Sequence, residues 1–303
     1  MCIHLYHHTL PHCYRCQSYL FCTFMAPPKA VTATSIDTSD PQTYEDQHVH
    51  SVYDQIAPHF SSTRYKPWPI IAQFLSSIPT GWIGLDSGTG NGKYLPLPLD
   101  RPGSIWTIGL DRSRNLLSIA QNAGGVAREV IWGDVLDNPW RHGVFDYAIS
   151  IATIHHLATP VRRKAAVKSL LKSIDPSHGR ALIYVWAIEQ DTLSKRAVPT
   201  GEDDNGTDGQ DVFVPWVLAS QTSKTNSKQE HTEETDKPKE SQVFNRYYHM
   251  FTRGELRSLV ENAARDIGLH IGKEVSGARG VEIIQDGWER SNYYVEIRRW
   301  STE

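Results

Sequence analysis

Leu85 to Leu95, LDSGTGNGKYL, is the stretch that decides the fold. It follows an apolar run that starts at Trp82, so its glycines fall at the carboxyl edge of a buried strand, where open α/β sheets bind ligands. Gly88, Gly90 and Gly92 allow a tight turn and close approach of backbone to a ligand, and Asp86 at the strand end can organise the loop through its carboxylate. The spacing is GxGxG and not the GxGxxG of a dinucleotide fingerprint. Lys93 is followed by Tyr94, where a phosphate-binding P-loop needs Ser or Thr.

Further along the chain, short apolar runs closed by Gly or Asp recur at residues 105–111, 130–134, 145–151 and 180–187. Helix-compatible stretches at 112–122 and 161–174 separate them, and this alternation predicts a doubly wound α/β sheet. Upstream, a 3.6-residue spacing predicts a helix over 45–60 that Pro58 should end or disturb, and a second helix over 68–75. Downstream, a helix over 253–264 and strands near 269–275 and 293–300 complete the sheet. Asp111 ends WTIGLD, about 20 residues beyond the glycines, where a carboxylate can accept two ribose hydroxyls. Asp134 ends IWGD, placed to meet an adenine edge. Strand-end aspartates also cap helices, so each alone reads either way; with the glycine loop they make a consistent nucleoside site.

Composition narrows the class. The 303 residues carry 31 Lys+Arg against 34 Asp+Glu, a net charge of -3, which announces neither a DNA-binding protein nor any other nucleic-acid binder and still permits a local basic groove. No apolar run approaches the roughly 18 residues of a membrane-spanning helix, so no membrane partner is expected. Cys2, Cys13, Cys16 and Cys22 are all the cysteines, which rules out a disulfide framework for the body. Cys13 and Cys16 stand among His4, His7, His8 and His12, but no second ligand pair follows at finger spacing, so no metal site is expected. Residues 1–43 read as a disordered tail or misassigned leader. Residues 44–300 read as one domain with an insertion at 191–245, whose polar run over 220–242 reads as a disordered loop.

The glycine loop with acidic ends on the next two strands resembles the class I S-adenosylmethionine-dependent methyltransferases. More narrowly, VYDQIAPHFSSTRYKPWP (52–69), GNGKYL (90–95), DYAISIATIHHL (146–157), LIYVWAIEQ (182–190), QDVFVPWVL (210–218) and RYYHMFTRGEL (246–256) resemble the eukaryotic tRNA wobble-uridine carboxymethyl methyltransferases. The resemblance spans residues 44–299. It implies a Rossmann-like, mostly parallel sheet with an antiparallel last strand, and methyl transfer from S-adenosylmethionine to the carboxylate of 5-carboxymethyluridine in the tRNA anticodon. A carboxylate is already ionised at neutral pH, so positioning matters more than a general base.

Carried onto this sequence, the resemblance assigns the cofactor to Asp86, Gly88, Thr89, Gly90, Gly92, Asp111, Arg112, Asp134 and Ile151. Thr89 stands where Cys is common in the closest relatives. Arg64, His155, His156 and Arg246 are expected at the chemistry, and Lys66, Trp186, Trp216, Tyr247, Tyr248 and His249 around the substrate base. Arg162, Arg163, Lys164, Lys168 and Lys172 form a basic helix expected to hold tRNA phosphates. The implied partners are the tRNA anticodon stem-loop and a small zinc-binding methyltransferase activator protein, bound as a heterodimer over apolar surface at the sheet edge. The expected compartment is the cytoplasm, with the nucleus as a second. The rival readings are a small-molecule methyltransferase with the same core and a catalytically dead α/β binding module; TRYKPW and the 246–256 segment favour tRNA over both.

Overall fold

The computed structural model describes residues 29–36, 39–63, 66–192, 194, 196–198, 209–218 and 242–302. In chain order, two short strands, β1 (Lys29–Ala30) and β2 (Thr32–Ala33), lead to helix α1 (Pro41–Glu45), one π-helical turn over Asp46–His50, and helices α2 (Ser51–Thr63) and α3 (Pro69–Ser77). The alternating core comprises β3 (Ile83–Ser87), β4 (Trp106–Asp111), α4 (Arg114–Ala120), β5 (Val130–Trp132), β6 (Tyr147–Ile151), α5 (Pro160–Ser173) and β7 (Arg180–Trp186). It is followed by β8 (Arg196–Ala197), β9 (Gln210–Leu218), β10 (Gln242–Met250), α6 (Glu255–Asp266), β11 (His270–Ile271), β12 (Arg279–Trp288) and β13 (Asn292–Ser301).

Among the described residues, eight strands form the main sheet in the order β11-β12-β13-β7-β6-β3-β4-β5. Strands β7, β6, β3, β4 and β5 are parallel neighbours, and β13 runs antiparallel to both β7 and β12. All five residues of β6 are buried, as a strand covered on both faces requires. One face packs α5 and α6 through Val167, Leu170, Leu171, Val260 and Ala264, and the other packs α3 through Ile71, Phe74 and Leu75. Helices α4 and α5 begin where side chains cap them: Ser113 Oγ accepts the Leu116 N–H at 3.2 Å for α4, and Thr159 Oγ1 accepts the Arg162 N–H at 3.3 Å before Pro160 opens α5.

Four departures from the sequence reading have local causes. Pro58 does not end α2, which continues to Thr63. The carbonyl that a proline deprives of its helical donor is that of Asp54, and here it accepts Asn115 Nδ2 at 2.9 Å, so nothing is left unsatisfied. Order also begins before residue 44: Thr32–Ala33 pairs with β9, and Val31 is buried against Val212, Val214, Tyr248 and Met250. Such two-residue pairings are too short to leave a periodic signal. Strand β12 was not foreseen because most of its residues keep some exposure, so RGVEIIQDGW lacks a continuous apolar run. Finally, most of the basic charge of α5 is paired or buried: Arg162 pairs with Glu45 at 2.6 Å, Arg163 is buried on the carbonyls of Leu157 and Ala158, and Lys164 and Lys168 both reach Asp266, which leaves Lys172 without an ion pair among the described residues. Residues 210–218 and 242–250 pair as antiparallel strands, while the polar run between them lies outside the described residues.

Candidate active site

The carboxyl ends of β3, β4 and β6 open into a cavity of about 740 Å³, roofed by α2 and by the β9–β10 pair. One end is made of backbone and carboxylates. Gly88, Gly90 and Gly92 all have positive φ, at 87°, 56° and 75°. At Gly88 a Cβ would lie 2.1 Å from Thr153 Oγ1, so the loop must lie bare against the turn after β6. At Gly90 nothing stands within 4 Å of the Cβ position. Asp86 is buried beneath the loop, where its Oδ2 accepts Thr89 Oγ1 at 2.8 Å and where burial pushes its carboxyl up to about 7. Asp111 accepts the Gly90 N–H on Oδ2 at 2.7 Å and the Ser113 N–H on Oδ1 at 2.8 Å, tying loop and strand end together. Burial raises its pKa in spite of those bonds. Arg112 bridges Asp134 at 2.6 Å and Asp46 at 2.8 Å, so the π-helical turn is fastened across this end.

The other end is aromatic and holds the buried cation of Arg246. Arg246 is only 3% exposed, yet it lines the cavity and forms no ion pair among the described residues. Its guanidinium lies 4.7 Å from the Trp216 ring and 5.3 Å from that of Tyr248, and Nη1 donates to Tyr53 Oη at 3.4 Å. Nε has no partner. A buried guanidinium without a counter-ion is costly, and at a cavity wall it offers its charge to an incoming anion.

Tyr53 is the hub beside it. His156 Nδ1 lies 2.9 Å from the Tyr247 carbonyl, which only accepts, so Nδ1 carries the proton. Nε2 must then accept from Tyr53 Oη, 3.1 Å away, and Tyr53 in turn accepts from Tyr248 Oη at 2.8 Å. Burial, with the Arg246 charge adding to it, pulls His156 down to about 3 although its bond to Tyr247 opposes this, so the ring is neutral. Neither nitrogen of His156 is left to act as a base. His155 is fully buried and its Nδ1 accepts the Trp186 N–H at 3.0 Å.

These contacts sort the expected site residues. Gly88, Thr89, Gly90, Asp111, Arg112, Asp134, Ile151, His155, His156, Trp186, Trp216, Arg246 and Tyr248 line one cavity. Asp86 supports it from below. Gly92 faces away, since a Cβ there would lie 2.9 Å from Ala120 on α4; its task is helix packing. Tyr247 and His249 are corrections: β10 alternates, and both point off the cavity side. Tyr247 Oη donates to Asp211 Oδ1 at 2.7 Å, and His249 is held between Asp211 and Glu255 at 2.8 and 2.7 Å. Although burial alone would raise Asp211, the bonds from His249 and Tyr247 hold its carboxyl below the usual range. Trp186 and Tyr248 stack on each other, with centroids 4.1 Å apart and planes at 7°, so neither ring offers both faces to a base. Lys66 is exposed and outside the lining, and Arg64 lies outside the described residues. Tyr53, His59 and Phe60 line the cavity without having been singled out; Tyr53 shares the helical spacing of Val49, Val52 and Ile56 and so reads as the core face of α2.

Comparison with known proteins agrees with this layout. Residues 85–176 match a family described as a methyltransferase domain. The tRNA (carboxymethyluridine(34)-5-O)-methyltransferase of Schizosaccharomyces pombe is 41% identical over 252 residues, covering 83% of this chain and 96% of its own. The chain belongs to that family. The Saccharomyces cerevisiae member of the tRNA (carboxymethyluridine(34)-5-O)-methyltransferases is 45% identical over 184 residues, 61% of either chain, and an Arabidopsis thaliana member is 48% identical over 150, half of this chain and 35% of its own. Among solved structures, the Burkholderia thailandensis 1,6-didemethyltoxoflavin-N1-methyltransferase, determined with bound 1,6-didemethyltoxoflavin and S-adenosylhomocysteine, superposes with a TM-score of 0.54. It is 14% identical and covers 90% of this chain and 95% of its own, a likeness of fold. In this member of the tRNA methyltransferase family, the bare Gly88–Gly90 backbone and the strand-end carboxylates of Asp111 and Asp134 fit the amino-acid and nucleoside parts of S-adenosylmethionine.

Proposed function

We propose that the protein methylates the carboxylate of 5-carboxymethyluridine at the wobble position of tRNA, with S-adenosylmethionine as donor, giving the methyl ester. The observation that carries this reading is Arg246, a buried cation without an ion-pair partner among the described residues, at the end of the cavity opposite the glycine loop. S-adenosylmethionine supplies an electrophilic methyl group on its sulfonium. The protein's share is positional. Arg246 holds the acceptor carboxylate, Tyr53 fixes the guanidinium, and neutral His156 fixes Tyr53. Phe60, Trp216, Tyr248 and Ile151 exclude water from the carboxylate, whose oxygen needs no deprotonation to attack. Arg112 and the carboxylates of Asp111 and Asp134 hold the nucleoside end.

The partner half of the proposal is a small zinc-binding activator protein on the β4–β5 edge of the sheet. It is supported by exposed apolar side chains there: Ile131, 38% exposed, and Trp132, 58% exposed, on the edge strand β5, and Trp106, 58% exposed, at the opposite end of β4. Replacing Trp106 and Ile131 by serine is expected to release the partner in size-exclusion chromatography and leave S-adenosylmethionine affinity intact. The reaction itself is tested with labelled S-adenosylmethionine, the activator protein, and tRNA from cells unable to form the ester. Label should enter tRNA and be released by mild alkali as methanol. Methylation of free carboxylic acids without RNA, or alkali-stable label, would overturn it.

A further inference from the structure

The β12–β13 hairpin turns on two residues, Arg290 and Ser291, closed by the reciprocal bonds Glu289 N–H to Asn292 O at 2.8 Å and Asn292 N–H to Glu289 O at 3.0 Å. Both central residues are left-handed, with φ of 48° and 63°, and neither is glycine. Such a turn ordinarily carries Asn-Gly, because L side chains pay for that conformation. Here it is held in place from several sides. Ser291 is 1% exposed; its carbonyl accepts the Ala187 N–H at 3.0 Å and its Oγ the Asp191 N–H at 2.8 Å. Asn292 Nδ2 donates to the Arg290 carbonyl at 2.6 Å. Trp288 Nε1 and Tyr293 Oη, flanking the turn, both donate to Glu189, at 3.3 and 2.6 Å. The tip is therefore riveted to the chain leaving β7, beside the acceptor end of the cavity.

What the rivets present is Arg290. Its side chain is exposed, lines the cavity mouth, and makes no hydrogen bond or ion pair among the described residues. We infer that Arg290 is a substrate-positioning residue that grips a backbone phosphate of the RNA strand whose base enters the cavity; this rests on the tRNA reading above. A rigid rim cation suits a phosphate, which the planar guanidinium can meet with two parallel N–H bonds, and its exposure sets it apart from buried Arg246, which faces the acceptor inside. With Arg162, Lys164 and Lys168 of α5 engaged by Glu45 and Asp266, the rim is where the cavity meets the ribonucleotide backbone.

The test uses the full chain with its activator protein and tRNA bearing the free carboxymethyl group, comparing wild type with Arg290→Gly and Arg290→Lys. Glycine adopts φ near 48° without strain, so Arg290→Gly should melt no lower than wild type and keep wild-type S-adenosylmethionine affinity by calorimetry. Its KM for tRNA should rise roughly tenfold, and the slope of log affinity against log salt should shrink by about 0.7 to 1, the signature of one lost phosphate contact. Arg290→Lys should recover part of the loss. A purely structural role would move the melting temperature and leave the salt slope alone. Unchanged KM and slope in Arg290→Gly would overturn the inference, as would weakened S-adenosylmethionine binding with normal RNA binding, which would assign Arg290 to the cofactor. If the wild type itself transfers no methyl to tRNA, the functional reading fails and this inference with it.

Discussion

At one end of the cavity the groups facing ligand space are main-chain atoms of the Gly88–Gly90 loop and the carboxylates of Asp111 and Asp134, carried by neighbouring strands of one sheet. At the other end they are side chains of Tyr53, His156, Arg246 and Tyr248, drawn from α2, from the turn after β6 and from β10. The first end is set by sheet register and glycine geometry, with Asp111 tied to the loop through the Gly90 N–H. The second is a chain of hydrogen bonds in which each group orients the next, from the Tyr247 carbonyl through His156 and Tyr53 to Arg246. Substitutions at the first end should therefore change cofactor affinity, and those at the second should change turnover.

The sharpest way to break the backbone end is Gly88→Val. Its branched side chain would start 2.1 Å from Thr153 Oγ1 at a φ of 87°, so S-adenosylmethionine binding should fall at least about 100-fold by calorimetry, with the far network intact. Asp111→Ala should cost less, about 1.5 to 3 kcal/mol of cofactor affinity, because one charge-assisted acceptor is lost while the loop survives on its glycines. Normal affinity in a folded variant would make Asp111 a purely structural tie. Tyr53→Phe should split the two ends cleanly. It removes the hydroxyl that joins His156, Tyr248 and Arg246 and should lower turnover roughly tenfold while the cofactor dissociation constant stays within about twofold.

A further effect is on stability against pH. His156 titrates near 3 in the fold and near its ordinary 6.5 when unfolded, so between those values the unfolded chain holds the extra proton. The contribution of neutral His156 is present in full above about pH 6.5 and is lost as the pH falls toward 3. The slope approaches about 1.4 kcal/mol per pH unit in that window. Denaturation followed from pH 7 to pH 4 should show His156→Gln with a shallower loss than wild type; equal slopes would mean that His156 is protonated in the fold.

The same division governs what the sequence discloses. The backbone end was legible because its chemistry is local: LDSGTGNGKYL after an apolar run places glycines and Asp86 at a strand end, and WTIGLD and IWGD end the neighbouring runs on carboxylates. The doubly wound parallel core followed from the same alternation, and the antiparallel last strand from the family resemblance, while β12, whose partly exposed residues give no apolar run, was in neither. The side-chain end was legible only in part. His156 and Arg246 stand 90 positions apart in sequence, and Tyr53 looks like any core-facing aromatic of an amphipathic helix until β10 is laid across it. Strand alternation on β10 decided which members of RYYHM face the cavity, Arg246 and Tyr248, and which turn away, Tyr247 and His249. Composition and spacing cannot fix that register without knowing which face β9 and α2 cover.

The most direct measurement is single-turnover methyl transfer to tRNA bearing the free carboxymethyl group, by wild type and Arg246→Ala, with S-adenosylmethionine affinity measured on the same preparations. Arg246→Ala should lose about two to three orders of magnitude in rate at unchanged cofactor affinity, with Arg246→Lys between the two, because the buried guanidinium holds the acceptor carboxylate and not the donor. Transfer by a folded Arg246→Ala at the wild-type rate would contradict this account of the acceptor end.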